Sequence, residues 1–194
     1  SLVRPDQDLV SLVELEAPAP KPPSLEVRAT GLWTDIGIQT PLDHMTVDIE
    51  AFAVALDDPN EVFHGAYGIR TALGCELEWE TVGVVWAGPS PNSYEVPCIV
   101  HGELLVDEQT IEIDGWGWRS HRWGSPSRGD RSTTRGRTAD GVWFNDPHEE
   151  RAATMQVVGA APSPAPELGA RMEQFFAIDD KGDMAWIRRI GDRL

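Results

Sequence analysis

Cysteine is scarce in this sequence, and the residue spacings typical of metal sites are missing. The 194 residues include two cysteines, Cys75 and Cys98, whereas a disulfide scaffold normally carries more in a shorter chain. Two buried thiols are the favoured interpretation, with a disulfide as the alternative if neighbouring strands bring them together. No Cys-x-x-Cys, His-x-His or His-Glu-x-x-His spacing occurs, and the five histidines are scattered. We therefore expect no metal and no cofactor.

Long apolar runs are also missing. A membrane-spanning helix needs about eighteen apolar residues, and the longest apolar stretches here, such as Ala51–Leu56, are strand-sized. The opening SLVRPDQDLV lacks the apolar centre of a signal peptide. These observations predict a soluble, cytoplasmic protein without a membrane span. The sequence also has no P-loop, nucleophile elbow or dinucleotide fingerprint, which disfavours kinases, hydrolases of that type and dehydrogenases.

Positive charge is scarce and unevenly distributed. The net charge of −16 argues against nucleic acid as a partner, because a polyanion would meet a repulsive field. Six arginines nevertheless fall between Arg119 and Arg137, accompanied by one acidic residue, Asp130. This basic segment either lines a site that accepts an anion or forms ion pairs with carboxylates of the same domain.

Strand patterns dominate what is present. Met45–Glu50 alternates apolar and polar residues with a period of two, as a half-buried strand does. Leu77 and Trp79 alternate with glutamates, so Glu78 is expected to point to water more readily than into a core. Helical periodicity is poor; residues 146–158 would open a short helix, whereas Thr154–Val158 suits a strand equally well.

Two hairpins are predicted with their turns. Tyr94–Val106 leads through Asp107-Glu108-Gln109 into Thr110–Asp114, and a second hairpin covers residues 172–188 with a turn at Asp179–Gly182. Short strands at this spacing predict an all-β, antiparallel barrel or sandwich with few or no helices. A closed barrel is attractive because it leaves no exposed edge. We expect a single domain over residues 1–194, with proline-rich segments at 17–23 and 161–166.

The segment Gly115–Gly124, GWGWRSHRWG, follows the first hairpin and concentrates unusual chemistry. It holds three tryptophans within eight residues, with arginine and histidine between them. In a strand the residues alternate between two faces: Trp116, Trp118, Ser120 and Arg122 on one, and Gly117, Arg119, His121 and Trp123 on the other. The second face would suit a polar spot in an apolar cavity, whereas the simpler interpretation assigns the tryptophans to the core.

The run Ile111–Gly124, IEIDGWGWRSHRWG, resembles the signature of the lipocalin-like superfamily that includes hydroxyneurosporene synthase (carotenoid 1,2-hydratase). The upstream run Gly68–Glu80, GIRTALGCELEWE, is similar to a stretch that precedes this hairpin in those proteins. The resemblance covers about residues 65–125. It implies a lipocalin-like antiparallel barrel whose cavity accepts a hydrophobic ligand, such as a terpenoid, polyketide or steroid-like molecule. It also implies cofactor-free hydration, cyclisation or isomerisation. In this sequence Arg122 occupies a position where the family has a small residue.

Acid–base chemistry would be the mechanism of such an enzyme. His121 is the expected acid/base because its ordinary pKa lies near neutrality, and Arg119 would orient an oxygen. The expected ligand-binding residues are Trp116, Trp118, Trp123, Trp79, His101 and Glu78. Glu78 is also a competing proton donor.

Two other classes of protein remain open. One is a non-catalytic carrier or accessory domain with the same cavity. The other is a partial barrel completed by a partner chain, for which a homodimer is the simplest assembly.

Overall fold

The polypeptide is built almost entirely of β-strands. The computed structural model describes residues 2–3, 9–14, 16–57, 61, 68–87, 92–124, 133–146, 152–161 and 171–191. Within these ranges helical structure is limited to short 3-10 segments, at Glu61 and at Ala152–Thr154. No described helix has the length and apolar character that crossing a bilayer requires. The described strands are β1 Leu2–Val3, β2 Leu9–Ser11, β3 Val27–Ala29, β4 Leu32–Thr40, β5 His44–Leu56, β6 Ile69–Thr81, β7 Trp86–Ala87, β8 Ser93–Val106, β9 Gln109–Arg122, β10 Thr133–Arg137, β11 Trp143–Asp146, β12 Gln156–Ala161, β13 Arg171–Ile178 and β14 Met184–Gly191.

The chain divides into two compact units that interleave along the sequence. Unit 1 comprises Ser1–Ser11, Val54–Ile69 and Arg128–Leu194; unit 2 comprises Leu12–Ala53 and Arg70–Ser127. The expectation of a single domain over residues 1–194 stays a prediction.

Unit 1 contains a five-stranded antiparallel sheet in the order β11-β10-β14-β13-β12. Its central strands meet at Ala177, Ala185 and Ile187, which are buried and contact Phe144 and Met155. The predicted second hairpin is confirmed as β13 and β14, and the amide of Asp179 donates to the carbonyl of Asp183 across its turn. Residues 147–151 and 162–170 lie outside the described residues, and with them most of the predicted 161–166 segment. The segment 156–161 is a strand, as one of the two interpretations expected.

Unit 2 is a sheet in which strands neighbour one another almost in chain order. β3 pairs β4, β4 pairs β5, β5 lies beside β6, β6 pairs β8, and β8 pairs β9 along its whole length. The short β7 pairs β8 on the side of β6. The proline-rich segment 17–23 precedes β3 without forming a strand.

The predicted first hairpin is confirmed with a tighter turn than expected. β8 ends at Val106 and β9 begins at Gln109, so two residues, Asp107 and Glu108, make the connection. Asp107 has a positive φ of 53°, and its side-chain oxygen accepts from the amide of Ala72 at 3.1 Å. An aspartate tolerates this left-handed conformation better than most residues do.

The register gives the sheet of unit 2 an apolar face and a polar face. Leu77 pairs Gly102, and Gly102 pairs Ile113, so side chains at paired positions share a face. The apolar face carries Leu73, Cys75, Leu77, Trp79, Val96, Cys98, Val100, Leu104, Val106, Ile111 and Ile113. The opposite face, termed the polar face, carries Glu76, Glu78, Glu80, His101, Glu103, Glu112 and Asp114, together with the apolar residues Leu105, Ile99, Trp116 and Trp118.

The all-β, antiparallel fold class is therefore confirmed, but a closed barrel is not observed in the described strands. Among the described residues β9 pairs only β8, and the strand order does not return to its start. Closure requires hydrogen bonds between the first and last strands. The described strand pairing shows no such ladder.

Replacing Gly102 by alanine will lower the free energy of unfolding by about 1–3 kcal/mol. Its φ is 137°, and an added Cβ would overlap the backbone carbonyl oxygen of Glu76 on the neighbouring strand. Urea unfolding followed by circular dichroism measures the loss. Gly115→Ala is the control, since an added Cβ there has nothing within 4 Å. Equal stability of the two variants would contradict this account of Gly102.

Candidate functional site

The tryptophan-rich segment forms the second half of β9, the strand to which the sequence assigned it. Arg119 pairs Val96 and His121 pairs Tyr94, so both point to the apolar face of the sheet. Trp116 and Trp118 pair Ile99 and Pro97 and point to the opposite face. The predicted alternation is thus correct, and it separates the predicted site residues into two groups.

Arg119 is a half-buried cation on the apolar face. Its Nη2 donates to the carbonyl of Leu42 at 2.8 Å and to the hydroxyl of Thr81 at 2.9 Å. The Thr81 hydroxyl in turn donates to the same Leu42 carbonyl at 2.5 Å. These acceptors are neutral. Among the described residues Arg119 has no carboxylate within ion-pair distance, and its Nε–H is shielded from water without an acceptor.

Trp79 covers the strand beside Arg119. An added Cβ on Gly117 would lie 2.6 Å and 2.8 Å from the six-membered ring of Trp79, so the glycine makes room for the indole. The indole Nε1–H is shielded from water and has no acceptor among the described residues. Two residues further along, Gly115 faces open space. Within the described part of the chain, the apolar face therefore offers a large aromatic surface, two N–H donors without an acceptor and a gap in its side-chain layer.

His121 lies at the open end of this face in an aromatic cluster. Its ring stacks on Tyr94 with centroids 5.5 Å apart and an interplanar angle of 13°, and it contacts Trp123 at 5.5 Å. His121 and Trp123 are exposed, the latter by 48%. In the described part of the chain His121 has ring contacts and no hydrogen bond to a second titratable group. The enclosed acid–base pair that an enzyme of the expected type needs is therefore not seen there.

The polar face holds the remaining predicted residues. Trp118 contacts Trp86, with centroids 4.8 Å apart, and Trp116 lies two residues away on the same strand. His101 pairs Asp114, with Nδ1 3.3 Å from the carboxylate oxygen. These three residues are turned away from Arg119 by the alternation of β8 and β9.

Glu78 also points to the polar face, in keeping with its expected solvent exposure. Its side chain is 61% exposed, and its Oε2 lies 3.7 Å from Nε2 of His44. His44 begins β5 directly after the turn at residues 41–43. The cross-strand partner of Glu78 is His101, so the acid lies between two histidines.

Both cysteines are free thiols, as the favoured interpretation expected; Cys98 is buried, whereas Cys75 is only partly buried. They lie on the apolar face of unit 2, where burial raises the pKa of each thiol. The nearby carboxylate of Asp48 adds to the rise for Cys75. The positive charge of Arg119 opposes the rise for Cys98.

The structure thus brings together Trp79 and Arg119, with His121 further along the same strand and Trp123 directly after its end. It leaves Glu78, His101, Trp116 and Trp118 on the other face. Sequence reasoning missed Thr81 and Leu42, which hold the guanidinium, because a hydroxyl and a backbone carbonyl carry no motif. It also missed Tyr94, whose pairing with His121 depends on the hairpin register.

A family model described as a domain of unknown function, DUF7064, matches residues 1–144. No curated protein matches the chain, and neither does a solved structure. All predicted site residues lie within the matched range.

Arg119→Gln will move the titration profile of Cys98 to higher pH, because the positive charge of Arg119 is the largest influence that lowers the pKa of this thiol. The thiolate absorbance at about 240 nm as a function of pH, in a Cys75→Ser background and read against a Cys98→Ala reference, measures the shift without requiring a reagent to reach the buried thiol. Arg119→Lys keeps a positive charge and should remain closer to the parent profile. An unchanged profile in Arg119→Gln would show that the charge of Arg119 does not influence the pKa of the Cys98 thiol.

Proposed function

The chain belongs to the DUF7064 family, and we propose that its unit 2 binds an oxygenated hydrophobic small molecule on the apolar face of the sheet. The observation that carries the proposal is the half-buried Arg119 guanidinium, which lacks a carboxylate partner among the described residues. A charge removed from water without a counter-charge is costly. A ligand carboxylate or polarised oxygen would supply the missing partner.

The surroundings of Arg119 favour a ligand that is otherwise apolar. Leu77, Ile111 and Ile113 on the same face are only partly buried, so apolar surface remains open to a ligand. The Trp79 indole provides a flat aromatic surface and an N–H donor that lacks an acceptor in the described residues. Terpenoid, polyketide and steroid-like molecules combine such an apolar body with a few oxygens.

The distance between Arg119 and Gly115 along β9 indicates how long a ligand that contacts both residues would be. Arg119 and Gly115 are four residues apart on the same face, which is roughly 13 Å in an extended strand. Gly117 between them is covered by Trp79, and Gly115 opens onto free space. A molecule with its oxygen on Arg119 would pass the indole and extend its apolar end over Gly115.

The geometry supports binding more strongly than turnover. His121, the expected acid/base, is exposed and surrounded by the rings of Tyr94 and Trp123. A proton delivered to an alkene needs a donor shielded from water beside the substrate. We therefore propose that the protein is a carrier or accessory domain that binds its ligand without converting it. Hydration, cyclisation or isomerisation at His121 stays a prediction.

Retinoic acid and retinol, which share an apolar body and differ in the oxygenated end, test the role of Arg119. We expect the protein to prefer the acid, and Arg119→Gln to weaken acid binding by about 10- to 100-fold while changing alcohol binding little. Quenching of tryptophan fluorescence measures both affinities. Arg122→Gln removes the same charge from the opposite face of the same strand and should leave the preference intact. Equal binding of acid and alcohol by the parent protein would contradict the proposal.

Gly115→Leu will block the apolar end of the site without disturbing the sheet. An added Cβ at Gly115 contacts nothing within 4 Å, so the larger side chain occupies space that the ligand would use. We expect about tenfold weaker retinoic acid binding, with a circular dichroism spectrum and unfolding midpoint close to those of the parent. Thr110→Leu, on the exposed polar face of β9, is the matched control. Undiminished binding in Gly115→Leu would place the ligand elsewhere.

A further inference from the structure

We propose that His44, Glu78 and Glu80 form a site for a divalent transition-metal ion on the polar face of unit 2, in the class that Zn²⁺ represents. One ligand atom from each side chain can be chosen so that all three lie within 4.8 Å of one another. This site lies on the face opposite Arg119 and shares no ligand-binding side chain with the proposed small-molecule site. It also departs from the expectation, drawn from the sequence, that the protein holds no metal.

The backbone brings the three side chains together. Glu78 and Glu80 are two residues apart on β6 and therefore share a face. His44 is the first residue of β5, the strand beside β6. The amide of Thr81 donates to the carbonyl of Asp43 at 2.9 Å, which ties the residue after Glu80 to the residue before His44.

The turn that precedes His44 is held in place by further hydrogen bonds. The amide of Asp43 donates to the carbonyl of Thr40 at 3.0 Å. The carbonyl of Leu42 accepts from the Thr81 hydroxyl and from Arg119. The start of β5 is therefore anchored to the end of β6 before any side chain of the cluster is considered. Such prior positioning reduces the conformational entropy that binding an ion would cost.

The cluster is unsatisfied as it stands. Nε2 of His44 is shielded from solvent and has no hydrogen-bond partner among the described residues. Its distance to Oε2 of Glu78, 3.7 Å, is within ion-pair range but too long for a hydrogen bond. A metal ion would take the lone pair of a neutral imidazole and would neutralise the two adjacent carboxylates.

The ligand types select the kind of metal. Calcium and magnesium prefer oxygen ligands, whereas an imidazole nitrogen with two carboxylates suits zinc and its neighbours in the transition series. Zinc holds such ligands at about 2.0–2.2 Å, which places neighbouring ligand atoms roughly 3.4 Å apart in a tetrahedral site. The ligand atoms, which lie within 4.8 Å of one another, need to approach by up to about 1.4 Å to reach that spacing. Glu78 is largely exposed, so its side chain is free to rotate and water is available as a fourth ligand.

His101 is the other histidine near Glu78 and provides an internal comparison. It pairs Glu78 across the strands, but its Nδ1 lies 3.3 Å from Asp114 on the far side. The same face also carries Glu103 and Glu112, which pair with each other across the strands and have no histidine as cross-strand partner. A general attraction of cations to a chain of net charge −16 would involve all of these groups alike.

Calorimetric titration of the full chain with Zn²⁺, after chelator treatment and dialysis, tests the site. We expect one strong site per chain, little binding of Mg²⁺ under the same conditions, and at least about tenfold weaker Zn²⁺ binding in His44→Ala and Glu80→Gln. The matched controls are His101→Ala and Glu103→Gln, which remove a histidine and a carboxylate from the same face. Both should retain the parent affinity.

Two outcomes would overturn the proposal. One is parent-like zinc affinity in His44→Ala and Glu80→Gln. The other is an equal loss in all four variants, which would identify an adventitious ion only. Unfolding curves in the absence of metal accompany each titration. A variant with a lowered midpoint is replaced by His44→Gln, which keeps a polar side chain of similar size.

Discussion

The hydrogen-bonded register of β8 with its two neighbours is the constraint on which the arrangement of unit 2 depends. β8 pairs β6 on one side and β9 on the other, and paired residues point to the same side of the sheet. Shifting either pairing by one residue would move every apolar side chain of that strand to the polar face. The two-residue turn at Asp107 and Glu108 and the close approach at Gly102 restrict the register to the one observed.

A second constraint links the two faces. Arg119 reaches from β9 to Thr81 and to Leu42, and the same residues anchor the turn that leads into His44. The guanidinium thus contributes to a small hydrogen-bond network at one end of the sheet. Removing this guanidinium would take away the cation proposed to bind a ligand oxygen on the apolar face. It would also loosen the turn that positions the proposed metal ligand His44. Experiments that change Arg119 therefore need a variant that retains the charge.

For the DUF7064 family these features give two separate hypotheses about one sheet. The apolar face combines an aromatic surface with a cation, and the polar face combines an imidazole with two carboxylates. Both groups of residues fall within the matched range 1–144. The resemblance to the lipocalin-like hydratases suggested a hydrophobic ligand and a catalytic histidine. The proposed function retains the hydrophobic ligand, with Arg119 and Trp79 as its binding residues, whereas His121 lies exposed in a cluster of aromatic rings.

Local patterns in the sequence were sufficient for the strand class, the two hairpins and the assignment of side chains to faces. Alternation has a period of two and involves only neighbours along the chain, so Leu77, Trp79 and Arg119 could be placed without knowing what lies beside them. The strength of the alternation in β6 and β9 reflects one face that is largely apolar and one that is largely polar.

Which strands lie together was decided by the tertiary structure alone. The neighbours of Arg119 are a carbonyl and a hydroxyl from distant parts of the chain, and His44 meets Glu78 only because β5 lies beside β6. No spacing rule detects such ligands, since they are separated by a whole strand and its connections. Composition and periodicity describe a chain residue by residue, whereas a binding site requires residues far apart in sequence to be held together by the hydrogen bonds between strands.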